Sequence, residues 1–294
     1  MIPLTPLEIL VDHDCGVDLP IPDDLKALYG RLQFPHRGAG AHVIGNFVTT
    51  LDGVVSLGVA GKTNGDAISG SNRHDSMIMA LLRAAADAVI VGSGTLHQSP
   101  QHVWTPDFVF PALADSYRMF RDRMGMQRQP LCVIVSGSGV LDLDLPVFIR
   151  GEAPAAIITT VRGEKEIRKK GVPPGVTLIP AGVLDTLTIR EILDALSGLL
   201  PGGNIFLVEG GPHLIGQFIE QGELDELFLT LSPRLAGRDG QSDRLGLIAG
   251  RAFLPDRVIT GRLNGLRKSG SHLFLRYGFL ALPRRGGEHA QKLA

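Results

Sequence analysis

The chain has 294 residues, 44% of them hydrophobic, with a mean hydropathy of +0.16 and a formal net charge of −1. That length suits one large α/β domain or two small ones, and a chain so nearly neutral offers no field for nucleic acid or an anionic membrane. Two cysteines, Cys15 and Cys132, exclude a disulfide framework; no apolar run approaches the ~20 residues of a membrane span, and the acid-bearing N-terminus lacks the basic region of a signal peptide, so a reducing, cytoplasmic setting is expected.

Residues 1–38 read as a peripheral N-terminal extension with one short helix, 23–32, between proline-rich segments. "HVIGNFVTTLDGVVS" (42–56) predicts a strand, a bend at Asp52-Gly53 and a shorter strand. A glycine-rich loop follows over 57–71. Ser71 or Asn72 is placed to cap a helix to about Ala86, whose Ile78, Leu81, Leu82 and Ala85 form one stripe. "DAVIVG" predicts a buried strand ending in a turn at Gly92-Ser93-Gly94-Thr95; 97–111 reads as irregular and 112–126 as helical. "PLCVIVSGSG", "AAIITT" and "GVTLIP" predict further strands, with a charged helix over 164–170 between the last two. A helix over 188–199 leads to the buried strand "NIFLVEGG", and 227–231 has strong β character. The C-terminal stretch alternates apolar and polar residues with Gly/Asn punctuation, as antiparallel edge strands do, and 283–294 reads as a frayed tail. Strands alternating with helices predict an α/β, three-layer domain over 39–282, with a mixed, mostly parallel central sheet and antiparallel C-terminal strands.

Three apolar strands end alike: Val91 before "GSGT", Val135 before "SGSG" and Val208 before "EGGP". In open α/β sheets ligands bind outside the carboxyl ends of strands, where glycine lets a ligand approach the backbone. Pro212 suits a first helical position and Gly222 a helix stop, so Gly210-Gly211 is expected at a helix N-terminus that favours phosphate. One glycine would serve the turn and the other the approach of a phosphate; a tight βα turn with no ligand is the alternative. The spacing is not that of G-x-G-x-x-G.

"TTLDGVVS", "LLRAAADAVIVGSGTL", "VIVSGSG" and "LVEGGPHLIGQFIEQGELDELFLTLSPRLAG" together resemble the RibD C-terminal reductase family of riboflavin biosynthesis, over roughly 40–280. The resemblance implies a dihydrofolate-reductase-like fold, NADPH as cofactor, a homodimer, and reduction of the ribosyl group of a ribosylaminopyrimidine 5′-phosphate to ribityl. It implies that Val48 touches the nicotinamide half and that Gly92, Gly94 and Thr95 touch the middle of the cofactor. Ser136 and Gly137 are implied beside the adenosine, and Gly210, Gly211, Pro212, His213, Leu214 and Ile215, with the helix start continuing to Gln217, at the pyrophosphate. Glu209 is expected to face the pyrimidine, Arg83 the substrate phosphate, and Asn64 the substrate; Asp52 and Glu209 are the candidate catalytic carboxylates. The family's D-x-P run and following arginine are missing from "GTLHQSPQHVW", and the 57–71 loop is long. No H-x-E with P-C-x-x-C deaminase signature is present, so the chain is expected to be reductase only, with no metal.

Bland readings stand beside these. Asp52 suits a bend, Arg83 a last helical turn, Thr95 and Ser136 turn hydrogen bonds, and Glu209 a carboxylate held by backbone amides. His97 and His102 are candidates to replace the missing phosphate contact or are solvated loop residues; "DHDC" (12–15) lacks the second ligand pair of a zinc site; "RGEKEIRKK" (162–170) reads as a solvated helix face. Two further functions remain: a reductase of another pterin, pyrimidine or carbonyl substrate, or a nucleotide-binding module without catalysis.

Overall fold

The computed structural model describes residues 4–36, 40–58, 64–182, 186–240 and 243–279. Its centre is a ten-stranded sheet whose members enter in chain order as follows. The N-terminal segment gives β1 (Glu8–Asp12), a two-stranded ribbon of β2 (Val17–Asp18) and β3 (Gln33–Phe34), and α1 (Asp23–Tyr29) between them. Then come β4 (His42–Thr49), α2 (Asn64–Ser69), α3 (Arg73–Ala85), β5 (Ala88–Gly92), α4 (Ser93–Gln98), α5 (Pro106–Val109) and α6 (Ala114–Arg123). β6 (Leu131–Ser136), α7 (Pro146–Ile149), β7 (Ala155–Thr159), α8 (Val161–Lys170), β8 (Val176–Pro180) and α9 (Ile189–Leu199) build the far half. β9 (Ile205–Val208), α10 (Pro212–Gln221), β10 (Glu226–Leu231), β11 (Gly261–Ser269) and β12 (His272–Phe279) complete it.

The sheet order is β1-β11-β12-β10-β4-β9-β5-β6-β7-β8. From β10 to β8 every neighbour is parallel, and β12, β11 and β1 add antiparallel pairs at one edge. The mixed, mostly parallel sheet with an antiparallel C-terminal hairpin is therefore as expected. Parallel strands covered on both faces must be apolar throughout, and β5, β7 and β9 are buried along nearly their whole length. One core lies between the sheet and α3, α6 and the N-terminal segment; the other packs α9 and α10 on the opposite face. No helix among the described residues is long and apolar enough to cross a membrane.

Local chemistry sets the helices that matter below. The Asn72 side chain accepts from the amides of His74 (2.9 Å) and Asp75 (3.1 Å), capping α3, whose Met77, Ile78, Leu81, Leu82 and Ala85 are buried. α10 starts at Pro212, where a missing N–H costs nothing, and stops at Gly222 in the left-handed region.

Several expectations are corrected. Residues 4–36 are not peripheral: β1 pairs with β11, and Leu7, Ile21, Leu25, Tyr29, Leu32 and Phe34 lie in the main core. An ion pair and two hydrogen bonds clamp this segment down: Arg267 pairs with Asp12 (3.1 Å) and donates to Tyr29 O (2.8 Å), and Arg276 donates to Gln33 O (2.6 Å). The helix expected over 23–32 ends at Tyr29. The bend at Asp52-Gly53 exists, with Gly53 at φ +78°, but no strand follows; Ser56 makes one bridge to Leu245. Gly94 and Thr95 lie in the short helix α4 rather than a turn, and the stretch expected to be irregular contains α5, capped by Thr105. Asp12 and Asp14 of "DHDC" pair with Arg31 at 2.8 and 2.6 Å, and α8 is a solvated helix carrying Glu164–Arg168 and Glu166–Lys169 pairs. The segment 280–294, with the expected tail, lies outside the described residues.

Candidate active site

β9, β5 and β6 are adjacent and parallel, so the three glycine-bearing ends fall side by side on one edge of the sheet. Gly211 has φ +64°, and an added Cβ there would meet only Thr95 Oγ1, at 3.5 Å; one at Gly94 would meet nothing within 4 Å. That open, side-chain-free surface is what a phosphate-bearing ligand needs in order to lie on backbone. Gly210 has a different reason to be glycine. Its Cβ would stand 2.5 Å from the Gly92 nitrogen and 2.6 Å from Val91 Cα. The pair thus divides its work otherwise than expected: Gly211 makes the turn and faces open space, while Gly210 lets β9 and β5 approach.

The expected pyrophosphate residues also separate. The Leu214 and Ile215 amides donate to Gly211 O (3.0 and 3.1 Å), Ile215 is fully buried in the second core, and Leu214 is 8% exposed. The Gly211 and His213 amides have no protein acceptor among the described residues, which leaves them for an anion. The Ser136 side chain is buried; its Oγ accepts from Gly139 N (3.2 Å). Gly137 O accepts from Thr160 Oγ1 (2.7 Å), tying the loop to the start of α8. Ser136 therefore shapes this loop from within rather than lying on its surface.

Beside the glycine rim, on the α3 face of the sheet, opens a cavity of about 450 Å³. Val48, Thr95, Gly211 and Pro212 line its rim side, and Arg83, Glu209, His102, Trp104 and Asp75 its inner wall. Arg83 and Glu209 form a buried pair, with side chains 1% and 5% exposed and Arg83 Nε and Nη2 at 2.9 and 2.7 Å from Glu209 Oε2. Arg83 Nη1 donates to Thr105 O (3.1 Å) and Val103 O (3.5 Å), and Nη2 to His102 Nε2 (2.9 Å). All five N–H bonds of the guanidinium are thus directed at protein acceptors. Rather than presenting free donors for the substrate phosphate it was expected to meet, Arg83 pins Glu209 and the 102–105 segment. Glu209 does face the cavity, with Asn46 Nδ2 3.4 Å from its Oε1.

Because Nη2 of arginine is always a donor, His102 Nε2 accepts and the ring carries its proton on Nδ1. Burial, with the Arg83 charge second, holds the His102 pKa well below its ordinary value, so the ring stays neutral. His97 is exposed, with Nδ1 2.6 Å from Ser93 O, and takes no part.

Asp52, expected as a catalytic carboxylate, stands apart from this cavity. It accepts from Thr50 Oγ1 (2.6 Å), Ala236 N (3.0 Å) and Gly237 N (2.8 Å), which together hold its carboxyl far below the usual range, and it does not line the cavity. A carboxylate so held ties two loops together and donates no proton. Asn64 opens α2 at the rim beside Gly65 and Asp66; its side chain and the loop residues 59–63 lie outside the described residues.

Asp75 was not foreseen. It projects from the first turn of α3 into the cavity wall, 6% exposed, with Thr230 beside it. Burial first, then the charges of Asp66 and Glu209, raise its pKa to about 6 against the pull of Thr230. In the sequence it reads only as an acid in a helix first turn, where the dipole favours one anyway.

The description "RibD C-terminal domain" fits residues 41–253. The riboflavin biosynthesis protein RibD of Aquifex aeolicus is 25% identical over 181 residues; the match takes in 60% of this chain and 43% of that protein's own length. A pyrimidine reductase-like protein of Corynebacterium diphtheriae superposes with a TM-score of 0.62 at 21% identity, over 87% of this chain and 98% of that one. A deaminase/reductase of Thermotoga maritima gives 0.58 at 19%, over 82% and 57%, and a riboflavin biosynthesis reductase of Saccharomyces cerevisiae 0.53 at 15%, over 82% and 90%. At these identities the structures share the fold.

Proposed function

The chain belongs to the RibD C-terminal domain family, and from that membership we propose that it is an NADPH-dependent reductase of the riboflavin-pathway type, reducing the ribosyl group of a ribosylaminopyrimidine 5′-phosphate to ribityl. One observation carries the reading: three glycine-bearing parallel strand ends, side by side, open onto a cavity bordered by Val48, Thr95 and Glu209. The residues present fit a dinucleotide. The Gly211 and His213 amides and the start of α10 would hold its pyrophosphate, the empty flank of Gly94 and the Thr95 hydroxyl its middle, and the Gly137 loop its adenosine end. Such a cofactor, when bound, supplies a hydride at nicotinamide C4.

The protein's own share is position and exclusion of water. Val48 and the rim would place the ring face against the cavity, and Trp104, Phe108 and Met79 give the pocket apolar walls. Glu209, held by Arg83, presents a fixed acceptor edge for the N–H groups of a pyrimidine. Holding the reacting carbons at ~3–3.5 Å supplies much of the rate in such chemistry.

The test is titration of NADPH, followed by the fluorescence of Trp104, the chain's one tryptophan and a cavity residue. Gly94→Val is expected to weaken binding tenfold or more with an unchanged melting temperature, since no protein atom lies within 4 Å of the added Cβ. Equal affinity would remove the reading. One observation favours a second reductase substrate: with Arg83 wholly engaged and the D-x-P…R run missing, no described cavity residue offers an uncommitted cation for the ribose phosphate. A screen of NADPH oxidation with phosphorylated and unphosphorylated aminopyrimidines separates the two.

A further inference from the structure

We propose that the carboxyl of Asp75 is the proton donor of the reduction carried out in this cavity. The inference rests on the reductase reading and adds the acid that reading lacks. Hydride addition to the open-chain imine of a ribosylamine leaves a nitrogen that must take a proton. With Asp52 locked by three donors and His102 Nε2 turned to Arg83, neither of those groups is free to give one.

Asp75 is placed for it. Its neighbour Thr230, on β10, is directly across the sheet from Val48 on β4. Val48 is the rim residue assigned to the nicotinamide, and residues so paired in a sheet are next neighbours on the same face. Thr230 therefore stands one strand-spacing from Val48, and Asp75 beside it lines the same cavity as Val48, Asn46 and Glu209. The charged groups around it disfavour its ionised form. Asp66 on α2 and Glu209 after β9 are negative, Arg83 is turned to Glu209 and the 102–105 carbonyls, and His102 is neutral. Of the nearby histidines, His74 bonds to Thr5 O and His272 to Ser69 O. A carboxyl in such a setting keeps its proton into the range where an acid catalyst is useful.

The step balances. The imine carbon gains the hydride pair and the nitrogen takes the Asp75 proton, so C=N becomes CH–NH. The reduced nicotinamide is thereby oxidised by two electrons, and Asp75 is left as a carboxylate that Thr230 stabilises until solvent reprotonates it.

The experiment is single-turnover NADPH oxidation with the ribosylaminopyrimidine 5′-phosphate over pH 5–9, in wild type, Asp75→Asn and Asp75→Glu. The wild-type rate is expected to fall above about pH 6. Asp75→Asn should be slower by about a hundredfold or more and flat with pH, with NADPH affinity retained, and Asp75→Glu should restore part of the rate and the pH limb. An Asn variant with the wild-type profile overturns the proposal. If wild type binds NADPH but leaves that compound unreduced, the substrate reading has failed, and Asp75 is judged on infrared difference spectra between pH 5 and 8. A protonated-carboxyl band present in wild type, missing in Asp75→Asn and shifted by an aminopyrimidine in the cavity upholds it; an absent or unshifted band overturns it.

Discussion

The glycine rim and the inner wall of the cavity are built from opposite materials. Along the ends of β9, β5 and β6 the functional surface is backbone, shaped by residues that contribute no side chain: Gly94, Gly210 and Gly211. Along α3 and the 99–109 segment it is a set of buried polar side chains: Arg83, Glu209 and His102, which hold one another, and Asp75, set by α3 beside Thr230. A backbone surface accepts a ligand at little cost to the fold. A wall of buried charges is a stability problem in its own right, and changing it disturbs folding and function together.

The largest expected effect breaks that wall. Arg83→Ala would leave Glu209 buried without a cation and strip donors from Val103 O, Thr105 O and His102 Nε2. Removing one partner of such a pair typically costs about 3–5 kcal/mol, read by urea denaturation. Arg83→Lys should rescue little, because one ammonium does not reproduce the five-donor fork. If Arg83 served instead as a phosphate ligand, both variants would leave stability near wild type and weaken only a phosphorylated ligand, and the contrast between rim and wall would fail.

Asp75→Asn sharpens the contrast from the other side, because here the wall is expected to gain stability. The folded-state pKa of about 6 lies above the unfolded value of 3.8. Between these values the native protein holds a proton that the unfolded chain releases, so stability falls as pH rises from about 4 to 6 and remains reduced above that. Two pKa units correspond to roughly 3 kcal/mol. The Asn variant keeps an acceptor for Thr230 but has nothing to ionise. It should match wild type near pH 4 and exceed it at pH 8, while being the poorer catalyst. Parallel stability curves for the two proteins would show that the folded state does not raise the Asp75 pKa.

The same division explains what was legible in the sequence. Backbone features announce themselves locally: Asn72 before a stripe, Pro212 and Gly222 bracketing α10, and glycines after apolar runs. They located three strand ends whose adjacency the sheet order supplied. Side-chain networks do not. Arg83 reads as a last-turn cation and Asp75 as a first-turn acid, and only the pairing of β4 with β10 and the return of the 102–105 segment over α3 show what each faces. Asp52, a plausible acid in a bend, is claimed by the Ala236 and Gly237 amides far along the chain. β1 was missed for a related reason: five residues among prolines carry a weak local signal, and their partner strand lies near the other end of the chain.

The smallest effect is expected at His102, because His102→Gln retains an acceptor for Arg83. What it removes is a titration of opposite sign to that of Asp75. The His102 pKa is depressed in the folded state, by burial and then by Arg83, so the unfolded chain takes up a proton that the native protein refuses. That contribution is fully present above the ordinary histidine pKa of ~6.5 and is lost as pH falls. His102→Gln should therefore match wild type at pH 8 and be the more stable protein at pH 5, whereas Asp75→Asn departs from wild type at the alkaline end. Thermal melts of the two variants across pH 4–8 would then diverge from wild type in opposite directions along the pH axis. If His102→Gln instead tracks wild type down to pH 5, the ring is not held neutral against Arg83, and the wall is a looser assembly than its hydrogen bonds require.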